Sequence, residues 1–258
     1  MNMDLIATPY FWPKRSDSKA YQNAYKLLAE KIPFQYTGVV TDIACGPGRL
    51  IAKLYPKMKK GVIVGTDKSY EMLDIAATYL NGLRVPVKRY TNPMEIDFQR
   101  PGVHLVKDDF ICTELPNEFS CRTFFTFPEI DPFGYNLNAN DKDLISRALK
   151  FFKFDLNDPL AATTLMRLRA DYNLVRITKR NGKIIRTGYA QFENHPKSKH
   201  NSSLLQSLNS RSEFLGLTLT DFTLREDDDI WSDMRTRGLE DKLIKAMNGY
   251  SLTVEVKN

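Results

Sequence analysis

Carboxylates and small residues are spaced in this 258-residue chain as a site for a hydroxylated, nucleoside-shaped ligand needs them. Asp42 stands in the β-branched run Val39–Ile43 and is followed by Ala44-Cys45-Gly46-Pro47-Gly48. Small residues at such a turn let a ligand approach the backbone, and the helix start after it presents N–H groups. Asp67 closes the next apolar run, GVIVGT at 61–66, where a carboxylate can accept hydrogen bonds from the two vicinal hydroxyls of a ribose. Asp108-Asp109-Phe110 follow a third run at 103–106, and there an acid and a ring could hold the edge and face of a base. The side chains of adjacent acids diverge, so one of the two faces the ligand: Asp109 is the first choice and Asp108 the alternative. Two other phosphate-binding patterns fail. The dinucleotide fingerprint needs glycine where Ile51 stands, and no Gly-Lys-Ser/Thr follows to make a P-loop.

The elements that must carry these residues alternate. Helical spacing is present at 18–31, where Ala20, Ala24, Leu27 and Leu28 share a face, at 49–55, and at 69–80 behind the N-cap serine Ser69. Helices are also expected at 141–152, 161–177 and 233–247, and strands at 39–43, 61–66, 103–106, 123–127, 183–189, 215–224 and 250–256, with Asn181-Gly182 as a turn. This order predicts an α/β fold: a doubly wound, mostly parallel seven-stranded sheet with helices on both faces and a hairpin-like pair at one edge. Ligands of such sheets bind at the carboxyl ends of the strands. One domain is expected over 1–258, with a helical segment at about 1–33 and insertions at about 131–160 and 191–212, the second polar and mobile.

The run from Asp42 to Gly48, with acids after the second and third strands, resembles the class I S-adenosylmethionine-dependent methyltransferases. Their glycine motif commonly runs D-x-G-x-G-x-G, and Ala44 takes the place of its first glycine here. The resemblance implies a Rossmann-like methyltransferase fold with S-adenosyl-L-methionine as cofactor. It places the methionine part against Asp42 and the backbone of Ala44, Cys45, Gly46 and Gly48. It gives the ribose to Asp67, sets Lys68 and Met72 near the adenine, puts Asp109 or Asp108 on the adenine amino group, and rests Phe110 against the ring. Phe127, at the end of the fourth strand, is a further expected contact. Asp131-Pro132-Phe133-Gly134-Tyr135 loosely resembles the signature of amino-methylating nucleic-acid enzymes, but it comes late and Pro128 interrupts the approach, so it reads as a turn with an aromatic lid residue.

Composition bounds the rest. Thirty-seven Lys and Arg against 31 Asp and Glu give +6, with 42% apolar and 26% charged residues, as in a soluble globular chain that needs no disulfide framework. Cys45, Cys112 and Cys121 read as free thiols of a reducing compartment. No apolar run reaches the roughly 18–20 residues of a membrane span, and Asp4 stands where a signal peptide would carry a cation, so the expectation is a cytoplasmic protein away from membranes. His104 reads as a satisfied core histidine. His195 and His200 lie in a polar stretch without further ligands, so no metal is assigned. The positive excess is local: residues 176–200 hold seven Lys and Arg and one Glu. The leading reading is therefore methyl transfer to an O or N atom of a small molecule, with no general base assigned. An RNA or DNA methyltransferase using the 176–200 region is the alternative, and a partner-dependent module that keeps only the fold is the third.

Overall fold

Val62–Asp67 is apolar along most of its length because neighbours flank it on both sides and helices cover both its faces. The computed structural model describes residues 13, 16–58, 60–126, 142–152, 161–190, 199–226 and 249–258. In chain order the elements are α1 (Lys19–Glu30), β1 (Val39–Ile43), α2 (Arg49–Leu54), β2 (Val62–Asp67), α3 (Tyr70–Gly82), β3 (Val87–Tyr90), β4 (Gly102–Lys107), β5 (Ser120–Thr126), α4 (Lys142–Phe152), α5 (Ala161–Ile177), β6 (Thr178–Ala190), α6 (Lys199–Phe214), β7 (Leu217–Glu226) and β8 (Gly249–Lys257). They form one sheet in the order β3-β4-β2-β1-β5-β6-β8-β7, in which β8 alone runs against its neighbours.

All seven expected strands are present, and the eighth is β3. Its sequence, VKRY, puts two cations in four residues, because an edge strand has one row of neighbours and its exposed positions carry charge. The Asn181-Gly182 turn is a correction: it lies inside β6, where Asn181 takes φ +60° and the register slips between Ser120–Thr178 and Arg122–Lys183. A Cβ on Gly182 would sit 2.7 Å from the Lys179 carbonyl, so the bulge requires glycine. The mobile loop expected at 191–212 is a second correction, since 199–214 is helix α6; its Ser and Asn content hides an apolar anchor, Phe214, at its end. Phe127, the 131–135 signature, His195 and the 233–247 helix lie outside the described residues.

One face of the sheet (Val40, Ile63, Leu105, Phe124, Ile185) packs under α1, α2 and α3. The other (Ile43, Val64, Val106, Phe125, Ile184) packs under α5 and the segment between β4 and β5. His104 is satisfied as expected: Nε2 donates to the Arg100 carbonyl at 2.8 Å, Nδ1 shares a hydrogen bond with the Tyr90 hydroxyl at 2.9 Å, and burial lowers its pKa. Among the described residues no helix is long and apolar enough to cross a membrane.

Beneath the second face lies a charge cluster that the sequence did not announce. Arg186 of β6 bonds Asp171 of α5 and pairs with Glu255 of β8 at 2.9 Å, while Arg211 of α6 lies 3.5 Å from both acids. Ser212 donates to Glu255 at 2.5 Å. Two cations and two anions from four elements balance in the interior.

Candidate functional site

At the carboxyl end of the sheet the strand order reverses between β1 and β5, and the chain beside that switch turns sharply after Ile43. Ala44, Gly46 and Gly48 take φ of +55°, +50° and +75°. These three alternate positions thus have the left-handed backbone that glycine tolerates best. A Cβ on Gly46 would meet nothing within 4 Å, whereas one on Gly48 would press to 3.1 Å from the Ala76 Cβ. Gly46 therefore faces open space, and Gly48 lets α2 and α3 close on each other. Ala44 bears the cost of the missing first glycine. Ala44→Gly is expected to raise the unfolding free energy by up to about 1 kcal/mol in chemical denaturation, and an unchanged or lowered value would contradict this.

Asp67 holds the turn in place. Its Oδ2 accepts from the Gly46 N–H and its Oδ1 from the Ser69 N–H, both at 2.9 Å, so one carboxylate ties the β1 turn to the start of α3. Burial pushes its pKa up, opposed by those two N–H groups and the Lys68 ammonium. Asp42, on the adjacent strand, is wholly buried, and neither carboxyl oxygen has a hydrogen-bond partner. Burial first, and the Asp67 charge second, lift its pKa well above the carboxylate range. A buried orphan of this kind is costly. A ligand ammonium or hydroxyl would satisfy it. Cys45 is a buried, packed thiol whose pKa is raised by burial, then by Asp67 and Asp42.

Beside β2 and β4 opens a cavity of ≈ 670 Å³, whose wall includes Lys68, Ser69, Asn92, Asp108, Asp109 and Glu114. Lys68, Asp108 and Asp109 were expected to meet a ligand, and they line one hollow. Asp42, Asp67 and the turn at 44–48 do not line it, and neither do Met72 and Phe110. Met72 is buried on α3, with its N–H on the Ser69 hydroxyl at 3.2 Å, and Phe110 sits in the core edge-on to Phe125 with centroids 5.0 Å apart.

The two neighbouring acids differ. Asp108 is buried; it bonds the Thr113 hydroxyl through Oδ2 and accepts from the Glu114 N–H through Oδ1 at 3.2 Å. Asp109 is half-buried and accepts from the Ile111 N–H at 3.0 Å. Burial lifts the Asp108 pKa to about 6, with the Thr113 and Glu114 bonds opposing it and the Asp109 charge adding to it. A carboxyl raised on folding stabilises the fold most below its unfolded value, near pH 4, and that contribution is lost as pH rises through about 6. Asp108→Asn is therefore expected to flatten the fall of unfolding free energy between about pH 4 and 6; urea titrations at several pH values that give parallel curves for wild type and variant would contradict it.

The cations at 176–186, those of the basic 176–200 window whose side chains are described, do not form one surface. Arg176 is engaged with the segment after β4, Arg186 is in the buried charge cluster, and Lys179, Arg180 and Lys183 lie where β6 begins, at the opposite end of the sheet from Asp42 and Asp67. What sequence reasoning missed is Thr113 and the polar stripe Arg169, Asn173, Arg176 on α5, which bonds that segment. The stripe's spacing of four and three residues was its available signal.

By sequence, no family model and no curated protein matches the chain. By structure it is similar to the 4+2 cyclase SpnF, at 13% identity over 93% of this chain and 82% of that one, TM-score 0.58. It is similar to a methyltransferase solved with the Haloferax volcanii Trm112 methyltransferase activator, at 15% identity over 99% and 97%, TM-score 0.55. It is also similar to geranyl diphosphate C-methyltransferase from Streptomyces coelicolor in complex with geranyl diphosphate and S-adenosyl-L-homocysteine, at 10% identity over 94% and 85%, TM-score 0.53. The chain has the Rossmann-like fold of the class I S-adenosylmethionine-dependent methyltransferases. At such identities the likeness speaks to the fold, and SpnF, named for a cyclisation, marks that the fold alone does not name a reaction.

Proposed function

We propose that the protein is an S-adenosylmethionine-dependent methyltransferase acting on an O or N atom of a small molecule. The observation that carries this reading is the adjacency of three strand ends, Asp42 on β1, Asp67 on β2, and Asp108 and Asp109 after β4, close enough that the Asp67 charge raises the Asp42 pKa and the Asp109 charge raises that of Asp67. Each offers the chemistry of one part of the cofactor. The orphaned Asp42 carboxyl, near the open side of Gly46, suits the amino-acid ammonium. Asp67, already fixed by two N–H groups, has lone pairs in reserve for ribose hydroxyls. Asp109, more open than Asp108, suits the exocyclic amino group of adenine, with Lys68 along the same wall.

When bound, S-adenosylmethionine supplies a methyl group activated by its sulfonium. The chain's part is to hold donor and acceptor in line, which by itself can lower a barrier by roughly 7–11 kcal/mol. Its rigid turn suits that work: Cys45 N–H bonds the Thr66 carbonyl at 2.8 Å and Gly48 N–H the Cys45 carbonyl at 3.1 Å. A small acceptor is favoured over a polynucleotide because the described cations of 176–200 are divided between an interior cluster, a loop anchor and the far end of the sheet. The test is incubation of the full chain with methyl-labelled S-adenosylmethionine and cell extract, followed by separation of small molecules from nucleic acids. Label in the small-molecule fraction is expected. Label confined to RNA or DNA, or none above a no-protein control, would overturn the reading.

A further inference from the structure

We infer that the polar stripe Arg169, Asn173 and Arg176 of α5 positions Asp108 and Asp109, the second of which reads the ligand's base edge, so that base selectivity is set from a helix that does not line the cavity. This rests on the cofactor reading above and deepens it.

The segment joining β4 to β5 leaves the sheet at Asp108 and returns at Ser120 without a helix or strand. Its backbone carbonyls must therefore find partners elsewhere. They find them on α5. Arg169 Nε donates to the Ile111 carbonyl at 3.1 Å. Asn173 Nδ2 donates to the carbonyls of Phe110 at 3.0 Å and Ile111 at 2.7 Å. Arg176 donates to the carbonyls of Thr113 at 2.7 Å and Leu115 at 2.8 Å, and to Asn117 Oδ1 at 2.7 Å. Positions four and three residues apart lie on one side of a helix, so the three side chains act as a single row of donors.

The row is linked to the acids through two residues. Thr113 is held by its carbonyl from Arg176, while its hydroxyl bonds Asp108. Ile111 is held by its carbonyl from Arg169 and Asn173, while its N–H bonds Asp109. Both carboxylates that face the cavity are thus oriented by a backbone whose shape α5 fixes. Asn173 itself is buried, so its two bonds are made away from water; their removal leaves the Phe110 carbonyl without its donor and the Ile111 carbonyl with Arg169 alone.

A merely structural stripe would change overall affinity or stability but not the choice of base. The test is therefore a ratio: calorimetric affinity for S-adenosylhomocysteine divided by that for S-inosylhomocysteine, in which a carbonyl replaces the exocyclic amino group. Wild type should prefer the adenosine compound by at least about tenfold, as a site built around an amino donor does. In Asn173→Leu the preference should fall to within about threefold. Should that variant not fold, Arg176→Met carries the same expectation, and Arg176→Lys, which keeps a donor, should recover most of the preference. An unchanged ratio in Asn173→Leu, or in Arg176→Met where it is the variant measured, overturns the positioning role and leaves the cofactor reading intact. Failure of wild type to bind either compound overturns both.

Discussion

Asp67→Ala is expected to weaken S-adenosylmethionine binding by about 3 kcal/mol, roughly 150-fold. Two losses combine. The ribose hydroxyls lose a charged acceptor, and the N–H groups of Gly46 and Ser69 lose the carboxylate that fixes the β1 turn against α3. Charge-assisted bonds of this kind are worth about twice neutral ones, and a turn freed to move must be ordered again by the ligand. Asp67→Asn keeps one acceptor oxygen and should lose about half as much. The alanine variant should also unfold at lower denaturant, by about 1–3 kcal/mol, because it orphans backbone donors. Calorimetric titration checks the first effect and urea denaturation the second. A change in affinity of less than about threefold would remove Asp67 from the ribose contact.

The largest effect on stability is expected at the interior charge cluster. Glu255→Gln keeps the shape of the side chain but leaves Arg186 and Arg211 facing Asp171 alone. Breaking a buried ion pair by removing one partner costs about 3–5 kcal/mol, since the remaining charge stays desolvated. Both guanidiniums together hold the Glu255 carboxyl below its ordinary range against the opposing effect of its burial. Equilibrium unfolding in urea at neutral pH should show the loss, with an unchanged denaturant dependence. A loss under about 1 kcal/mol would mean that water reaches the cluster and screens it. The cluster joins α5, β6, α6 and β8, so it also fixes the helix that carries the Arg169–Asn173–Arg176 row.

The strands were legible in the sequence where both faces are covered, because burial on two sides leaves continuous apolar runs such as VIVG in β2. The glycine turn and its acids were legible because backbone at positive φ and carboxylates at strand ends narrow the choice of residue. Ala44 shows the limit of that rule: it takes a left-handed φ with a Cβ, a strain that sequence alone does not display. β3 was missed because an edge strand of four residues with Lys88 and Arg89 exposed has the composition of a loop. Arg176 and Arg186 count toward the local positive excess of 176–200, yet one donates to backbone carbonyls and the other is buried among acids. Nothing in a charge count separates these uses; only the partners do so, Thr113 for Arg176, and Asp171 and Glu255 for Arg186. Phe110 read as a ring for the base because it follows the acids, but the turn after β4, held at its carbonyl by Asn173, sets the ring in the core against Phe125.

The most direct test of the central claim is a crystal structure of the protein with S-adenosylhomocysteine. The account predicts one bound molecule whose amino group meets Asp42, whose ribose hydroxyls meet Asp67, and whose adenine edge meets Asp109 in the cavity walled by Lys68 and Asp108. Density for the ligand anywhere that leaves these acids without contact to it would contradict the account.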